Sequence, residues 1–289
     1  MTSSDLAAVF DASSSYFAKV TPQVWGPAGQ SLVFALRLQP GDTVLDVCCG
    51  AGASALPAAA AVGPTGRVHA IDLADDLLEE GRLIASDRAL QNIDFVHADV
   101  TTWEPPSSVP DAGYAALASS FGVFFLPHMD AAVSRLLRLV RPGGGFGVTV
   151  WRSGALDRFA AAYYEVIGRH QANSATGTPV PPTRHVETPK EAAERIDNPE
   201  KLAAWLTDLG AASVAVTVLS NLIPATEQFA WDLVLGSGFR APLDQMNDDT
   251  VVAVRSDFLE LITDRGIHTV DATALVGTGV ITGWRGGED

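Results

Sequence analysis

The chain has 289 residues, of which 47% are hydrophobic and 18% charged, and its formal net charge is −15. That composition excludes a disordered chain and supplies a sizeable core, in one large domain or one domain with an elaborated cap. The acidic balance and the scattered Lys and Arg exclude a nucleic-acid backbone as partner, because that contact demands a basic track.

The first residues, Met1-Thr2-Ser3-Ser4-Asp5, carry neither the basic nor the apolar part of a signal peptide. The two cysteines, Cys48 and Cys49, are neighbours on a strand end and point to opposite faces, which makes them a poor disulfide and suits a reducing cytoplasm. Residues 112–129 carry no formal charge, but they contain Gly113, Gly122 and Pro127 and are barely long enough to cross a bilayer. They read as a buried strand followed by an apolar loop, so a soluble cytoplasmic protein without a membrane partner is expected.

Helices are predicted over residues 6–19 and 27–37, laid over a ligand-binding edge and contributing Phe10, Tyr16, Phe17 and Trp25. Residues 41–151 then alternate short apolar runs with helical ones. The strands expected are 43–47, 67–71, 93–96, 112–118 and 146–151, and the helices 53–61, 75–89 and 130–139, the last capped by Asp130. Strands too apolar to be half-exposed, alternating with helices, indicate an α/β fold with a parallel sheet covered on both faces. Pro142-Gly143-Gly144-Gly145 is expected to end the third helix and turn the chain into the fifth strand. Further on, helix is expected over 156–170, a loop-like stretch with lid character over 173–199 broken by a short helix at 189–196, and helix again over 199–209. The closing part reads as strand 213–219, helices 227–236 and 248–265, and strand 272–284. The domain plan is therefore an N-terminal helical cap (1–40), a nucleotide-binding core (41–152), a lid or insert (153–211) and a closing section that completes the sheet (212–289).

The chemistry concentrates in Val44-Leu45-Asp46-Val47-Cys48-Cys49-Gly50-Ala51-Gly52, a buried strand that stops at a loop of small residues and leads into an Ala-rich helix. Glycines there let a ligand touch bare backbone, and Gly50-Ala51-Gly52-Ala53-Ser54-Ala55 also fits the dinucleotide-binding pattern. Asp72, twenty residues after Gly52, ends the second strand where a carboxylate can accept both ribose hydroxyls, with Asp75 expected to cap the helix that follows. Asp99, after the third strand, is placed to accept an adenine amine with Val100 near the ring. Asp46 discriminates between ligands: a carboxylate beside a pyrophosphate would cost on the order of 1–4 kcal/mol, whereas a cationic amino-acid end reverses the sign.

Together Val44–Gly52, Asp72, Asp99-Val100 and Arg141-Pro142-Gly143-Gly144 resemble the class I S-adenosylmethionine-dependent methyltransferases, on the side of the small-molecule enzymes of the ubiquinone/menaquinone type. The resemblance covers about residues 6–151 and departs from the family at Cys48, where glycine is commoner. It implies a Rossmann-like seven-stranded sheet, mostly parallel with the last strand antiparallel, plus helical lid elements. It also implies S-adenosylmethionine as cofactor. Asp46, Gly50 and Gly52 would hold its methionine end, Asp72 its ribose, and Leu73, Asp99 and Val100 its adenine. Ser119 would lie beside the methionine portion facing the substrate, and Tyr16 would close over the cofactor.

The loop after the fourth strand lacks the Asn/Asp-Pro-Pro-aromatic signature of enzymes that methylate amide or nucleobase nitrogen, which leaves oxygen, carbon or amine acceptors. His128 is the candidate general base, ahead of His170 and His185. His69 and His97 are expected to be packed or hydrogen-bonded within strands, and His268 to lie in a surface turn. No His/Cys/Asp grouping has metal spacing. The expected partner is a small, largely apolar molecule, with a homodimer possible through the N-terminal helix pair and extra C-terminal helices. Two alternatives stand beside this reading: a nicotinamide-dependent oxidoreductase, which lacks a Tyr-x-x-x-Lys pair here, and a catalytically silent binding protein of the same fold.

Overall fold

The structure is a computed structural model and describes residues 3–172 and 187–283. The chain runs through α1 (Ser3–Val20), α2 (Trp25–Leu36), β1 (Thr43–Val47), α3 (Ala55–Val62), β2 (Arg67–Asp72), α4 (Asp75–Asp87), β3 (Ile93–His97), β4 (Tyr114–Ser120), α5 (Met129–Leu137) and β5 (Val140–Trp151). It continues through α6 (Asp157–Ala172), α7 (Pro189–Glu194), α8 (Pro199–Asp208), β6 (Ala211–Leu219), β7 (Leu222–Pro224), α9 (Glu227–Leu235), α10 (Asp248–Asp264), β8 (Thr269–Asp271) and β9 (Ala274–Ile281).

Seven strands form one sheet in the order β3-β2-β1-β4-β5-β9-β6. β1 to β5 pair in parallel, and β9 runs antiparallel to both of its neighbours. The last strand is thus antiparallel as expected, and it is inserted between β5 and β6 instead of lying at the edge. The mostly apolar sequences of β1, β2 and β4 follow from burial on both faces. Val44 packs with Val33 of α2, Ala58 of α3 and Leu78 of α4, while its neighbour Leu45 packs into the cluster that holds Leu136 of α5 and Leu206 of α8. The order in which strands are added to the sheet reverses between β1 and β4, so a crevice opens at the C-terminal ends of β1, β2, β3 and β4, where open α/β sheets bind ligands.

Helices α1, α6, α9 and α10 roof that end. α1 packs on α4 and α9, α6 packs on α10, and α8 instead covers β6 and β9. An aromatic group of Phe159, Tyr163, Phe239 and Phe258 holds the roof together. No helix of the described residues is long and apolar enough to cross a membrane.

Three local expectations need correction. The Pro142-Gly143-Gly144 segment does not precede β5 but lies inside it: Val140 pairs with Tyr114, and the next pair is Gly145 with Ala116, so the intervening residues bulge out. Asp75 and Asp130 do not cap their helices. Ala74 is the N-cap of α4, and the Asp76 N–H donates to Asp11 Oδ1 from α1. His128 is the N-cap of α5, while Asp130 binds Arg195 (2.6 Å) and accepts from Trp205 Nε1 (2.8 Å). The hairpin of β7 and β8 was not expected, because three residues per strand leave no alternation to read.

Candidate active site

The crevice holds a cavity of about 490 Å³, within the usual range for a small-molecule site. Its floor is the loop after β1. Cys48 and Gly50 both take left-handed backbone (φ 53° and 52°), and this turn lays Cys48, Cys49 and Gly50 along the cavity wall. Burial, and then the Asp72 and Asp46 carboxylates, push both thiols up, so they act as small neutral residues and not as nucleophiles.

Asp72 lines the next wall. Its Oδ2 accepts the Gly50 N–H (2.7 Å) and its Oδ1 the Ala74 N–H (2.9 Å), which ties the glycine loop to the start of α4. Burial raises its carboxyl above the ordinary range despite those backbone donors. Each oxygen keeps a lone pair for a ligand hydroxyl. Leu73 follows on the same wall, and Asp99, Val100 and Thr101 line the wall at the end of β3. Asp99 Oδ1 accepts from both the Thr101 N–H (2.9 Å) and the Thr101 hydroxyl (2.6 Å), while its Oδ2 has no bond among the described residues.

Asp46 sits elsewhere than expected. It is fully buried beneath the loop and does not line the cavity; its Oδ2 accepts from Ser54 Oγ (2.7 Å) and its Oδ1 has no partner among the described residues. Gly52 (φ 87°) is also set back from the lining, shaping the turn below Gly50. Burial pushes the Asp46 carboxyl up to about 7, opposed by the Ser54 bond. The folded state therefore holds this proton more tightly than the unfolded chain, where the ordinary value is 3.8. The associated stability is complete below about pH 4 and is lost as pH rises through about 7, a change on the order of 4 kcal/mol. Asp46→Asn should accordingly gain on the parent protein in denaturant unfolding between about pH 5 and pH 8. Parallel stability curves across that range would contradict the assignment.

Three more expected site residues are displaced. Ser120 lines the cavity in place of Ser119 and shares a 2.8 Å bond with Thr149, whereas Ser119 Oγ is buried behind Gly122 without a partner among the described residues. Tyr16 is outside the lining and stacks under Lys19, while Phe10 and Phe17 of the same helix face in. Phe10 and Phe17 are seven residues apart and share a face, and Tyr16 is rotated off it. His128 is exposed, at φ 51°, and does not reach the cavity.

Of the remaining histidines, His69 is buried against the Tyr114 hydroxyl (2.8 Å), and His170 pairs with Asp257 (2.8 Å). His97 is exposed at the end of β3, contrary to expectation; His268 is exposed, and His185 lies outside the described residues.

The far wall is aromatic. Trp25 stacks on Phe17 (5.3 Å) and meets Phe121 (5.4 Å) and Trp151 (5.5 Å) edge-on. Phe17 and Trp25 were legible in the sequence, but Ser120, Trp151, Tyr164, Lys190 and Phe239 were not, since only the folded chain brings them to one cavity.

Gly122 joins this wall to the loop. A Cβ there would stand 2.4 Å from Cys48 Cβ and 2.8 Å from Ser119 Oγ, so any side chain at position 48 requires a bare backbone opposite. Gly122→Ala should cost about 2–3 kcal/mol, and adding Cys48→Gly should recover more than half of it in a denaturation double-mutant cycle. Additive losses would contradict that coupling.

A family model described as a methyltransferase domain matches residues 44–144, the stretch that carries the glycine loop, Asp72 and Asp99. These residues make up a methyltransferase domain. Two curated relatives that it resembles are themselves methyltransferases, one of them of the ubiquinone/menaquinone type. The chain is 35% identical over 147 residues to an aklanonic acid methyltransferase of Streptomyces sp. strain C5, covering 50% of this chain and 65% of that one. It is 32% identical over 146 residues to a ubiquinone/menaquinone biosynthesis C-methyltransferase of Pseudomonas putida, covering 48% and 56%. The alignments thus span between about half and two thirds of these relatives' lengths.

Among solved structures, the methyltransferase domain and its roof resemble the YcgJ protein of Bacillus subtilis (TM-score 0.53, 13% identity, 89% of this chain and 99% of that one). They also resemble the [4+2]-cyclase SpnF (TM-score 0.55, 17% identity, 98% of both chains). At these identities the likeness is one of fold, and a fold does not fix the reaction.

Proposed function

We propose that the whole chain is an S-adenosylmethionine-dependent methyltransferase acting on a small, largely apolar molecule at an oxygen, carbon or amine nitrogen. One observation carries this reading. Two carboxylates at successive strand ends, Asp72 and Asp99, line one wall of an apolar cavity with acceptor capacity to spare, and the bare backbone at Gly50 lies beside them.

An adenosyl sulfonium suits this donor set. Asp72 would take the ribose hydroxyls, Leu73 a face of the adenine, and Asp99 Oδ2 with Val100 its edge. The methionine end would lie along the Gly50 backbone, with Asp46 buried below as a negative charge once ionised. Bound there, S-adenosylmethionine supplies a methyl carbon activated by a sulfonium. The chain's own part is to hold the acceptor in line with that carbon and to exclude water, which the aromatic wall of Trp25, Phe121 and Trp151 does. The same reading makes the protein cytoplasmic and keeps it off nucleic acid, which its net charge of −15 repels.

Incubation with S-adenosylmethionine and a panel of apolar phenols, enols, acids and amines should give one product heavier by a methyl, with S-adenosylhomocysteine released in equal amount. Tight cofactor binding with no methylated product from any acceptor class would favour the silent alternative.

A further inference from the structure

We infer that the chain forms a two-fold homodimer through the free edge of β6, which joins two seven-stranded sheets into one. The inference stands apart from the methyltransferase reading.

The sheet has two edges, β3 and β6, and the sequence treats them differently. β3 is blunted by charge: Arg82 donates to the Phe95 carbonyl oxygen (3.2 Å), and Asp94 pairs with Arg67. β6 has no such protection. Residues 209–225 contain no Asp, Glu, Lys or Arg in a chain that is 18% charged, and β6 itself has no proline. Among the described residues no strand pairs with its outer edge. Its irregularity is a bulge at Ser213 (φ 51°), between the Ala212 and Ala215 pairs, so residues 215–219 run regularly beside β9. A regular, uncharged edge strand is a template for another strand.

The order of its side chains decides which strand. Thr217 pairs with Val276 of β9, and Val276 packs with Leu32 of α2, so Ala215, Thr217 and Leu219 share the α2 face. Val216 pairs with Gly277, which faces Leu202 and Leu206 of α8, so Val216 and Val218 share the other face. A second β6 fits antiparallel to the first with Thr217 on the two-fold axis. Each Val216 then meets Val218 of the partner subunit, and each Ala215 meets Leu219 of the partner subunit. One face gains β-branched pairs, the other sets a small residue against a large one, and the two threonines meet at the centre. Val218 is 49% exposed in the single chain and Thr217 is exposed as well, so the pairing covers both. The strand is complementary to itself, as a two-fold interface requires.

Charge points the same way. Each chain carries −15, so two copies repel at long range, and an uncharged edge lets them touch without opposing carboxylates. Salt should therefore tighten this dimer, whereas it would release a basic partner.

The test is sedimentation equilibrium of the intact chain at about 1–100 μM. A monomer–dimer equilibrium should appear and tighten at least about threefold between about 0.05 M and 0.5 M NaCl. Thr217→Lys sets two ammonium groups against each other and should weaken the dimer at least about tenfold, although it lowers the net repulsion. Its circular dichroism spectrum should match the parent's, because the position is exposed. Thr217→Cys reads the register: Cα atoms of antiparallel partners stand about 4.5–5.5 Å apart, within disulfide reach, so mild oxidation should give a covalent dimer. Val252→Cys, exposed on α10, should not cross-link. A monomer at every concentration, a dimer that survives Thr217→Lys, a dimer dissociated by salt, or a Thr217→Cys chain that cross-links no better than Val252→Cys would overturn the inference.

Discussion

Asp72→Ala is expected to weaken S-adenosylhomocysteine binding by at least about a hundredfold. A hydrogen bond to a charged group contributes about 1.5–3 kcal/mol, and this carboxylate would serve two ribose hydroxyls. The substitution also strips partners from the Gly50 and Ala74 N–H groups, so the loop loses its tie to α4 as well as its ligand contact. Asp72→Asn separates the two effects, because the amide keeps the side-chain shape and one acceptor oxygen. It should retain most of the stability and still lose most of the affinity. Calorimetry with circular dichroism as the fold control reads both, and an affinity unchanged in the folded Ala variant would remove Asp72 from the site.

Gly29→Ala should bring the largest loss of stability. A Cβ at this position of α2 would stand 2.1 Å from the Ala53 carbonyl oxygen, 2.4 Å from its carbon and 2.9 Å from the Ser54 nitrogen. All three are backbone atoms, so no rotamer relieves the clash and α2 must lift off the loop. The loss should reach about 3 kcal/mol or more, lowering Tm by roughly 6–12 °C. Trp25 lies one helical turn earlier and the Asp46–Ser54 bond lies directly beneath, so cofactor affinity should fall with stability. An unchanged Tm would show that α2 does not seat on the loop as described.

The central sheet was legible because β1, β2 and β4 are buried on both faces and their sequences are mostly apolar. β1 is the clearest case: Val44 and Leu45 belong to opposite cores, so alternation disappears and a buried parallel strand is left as the reading. The start of β5 was not legible, because Pro142 and three glycines mark a turn by composition, and only pairing with β4 shows them as a bulge within a strand.

The site was legible where one residue's position along a strand decides its role. Asp72 ends β2 and Asp99 follows the end of β3 by two residues, so both reach the crevice at the strand ends. It was less legible where rotation decides. Ser119 and Ser120 are adjacent and point to opposite sides, and a strand end misjudged by two residues selects the wrong one. Asp46 was assigned a direct role toward a cation, but its position before the strand end puts it under the loop, where it acts through the field it sets. Lys190 and Trp151 come from segments far apart in sequence, and no local pattern joins them to the glycine loop.

The most direct test of the central claim is titration calorimetry of the intact protein with S-adenosylhomocysteine and, separately, with NAD. The account predicts one S-adenosylhomocysteine bound per chain and no heat of binding from NAD. NAD binding where S-adenosylhomocysteine gives none would contradict it.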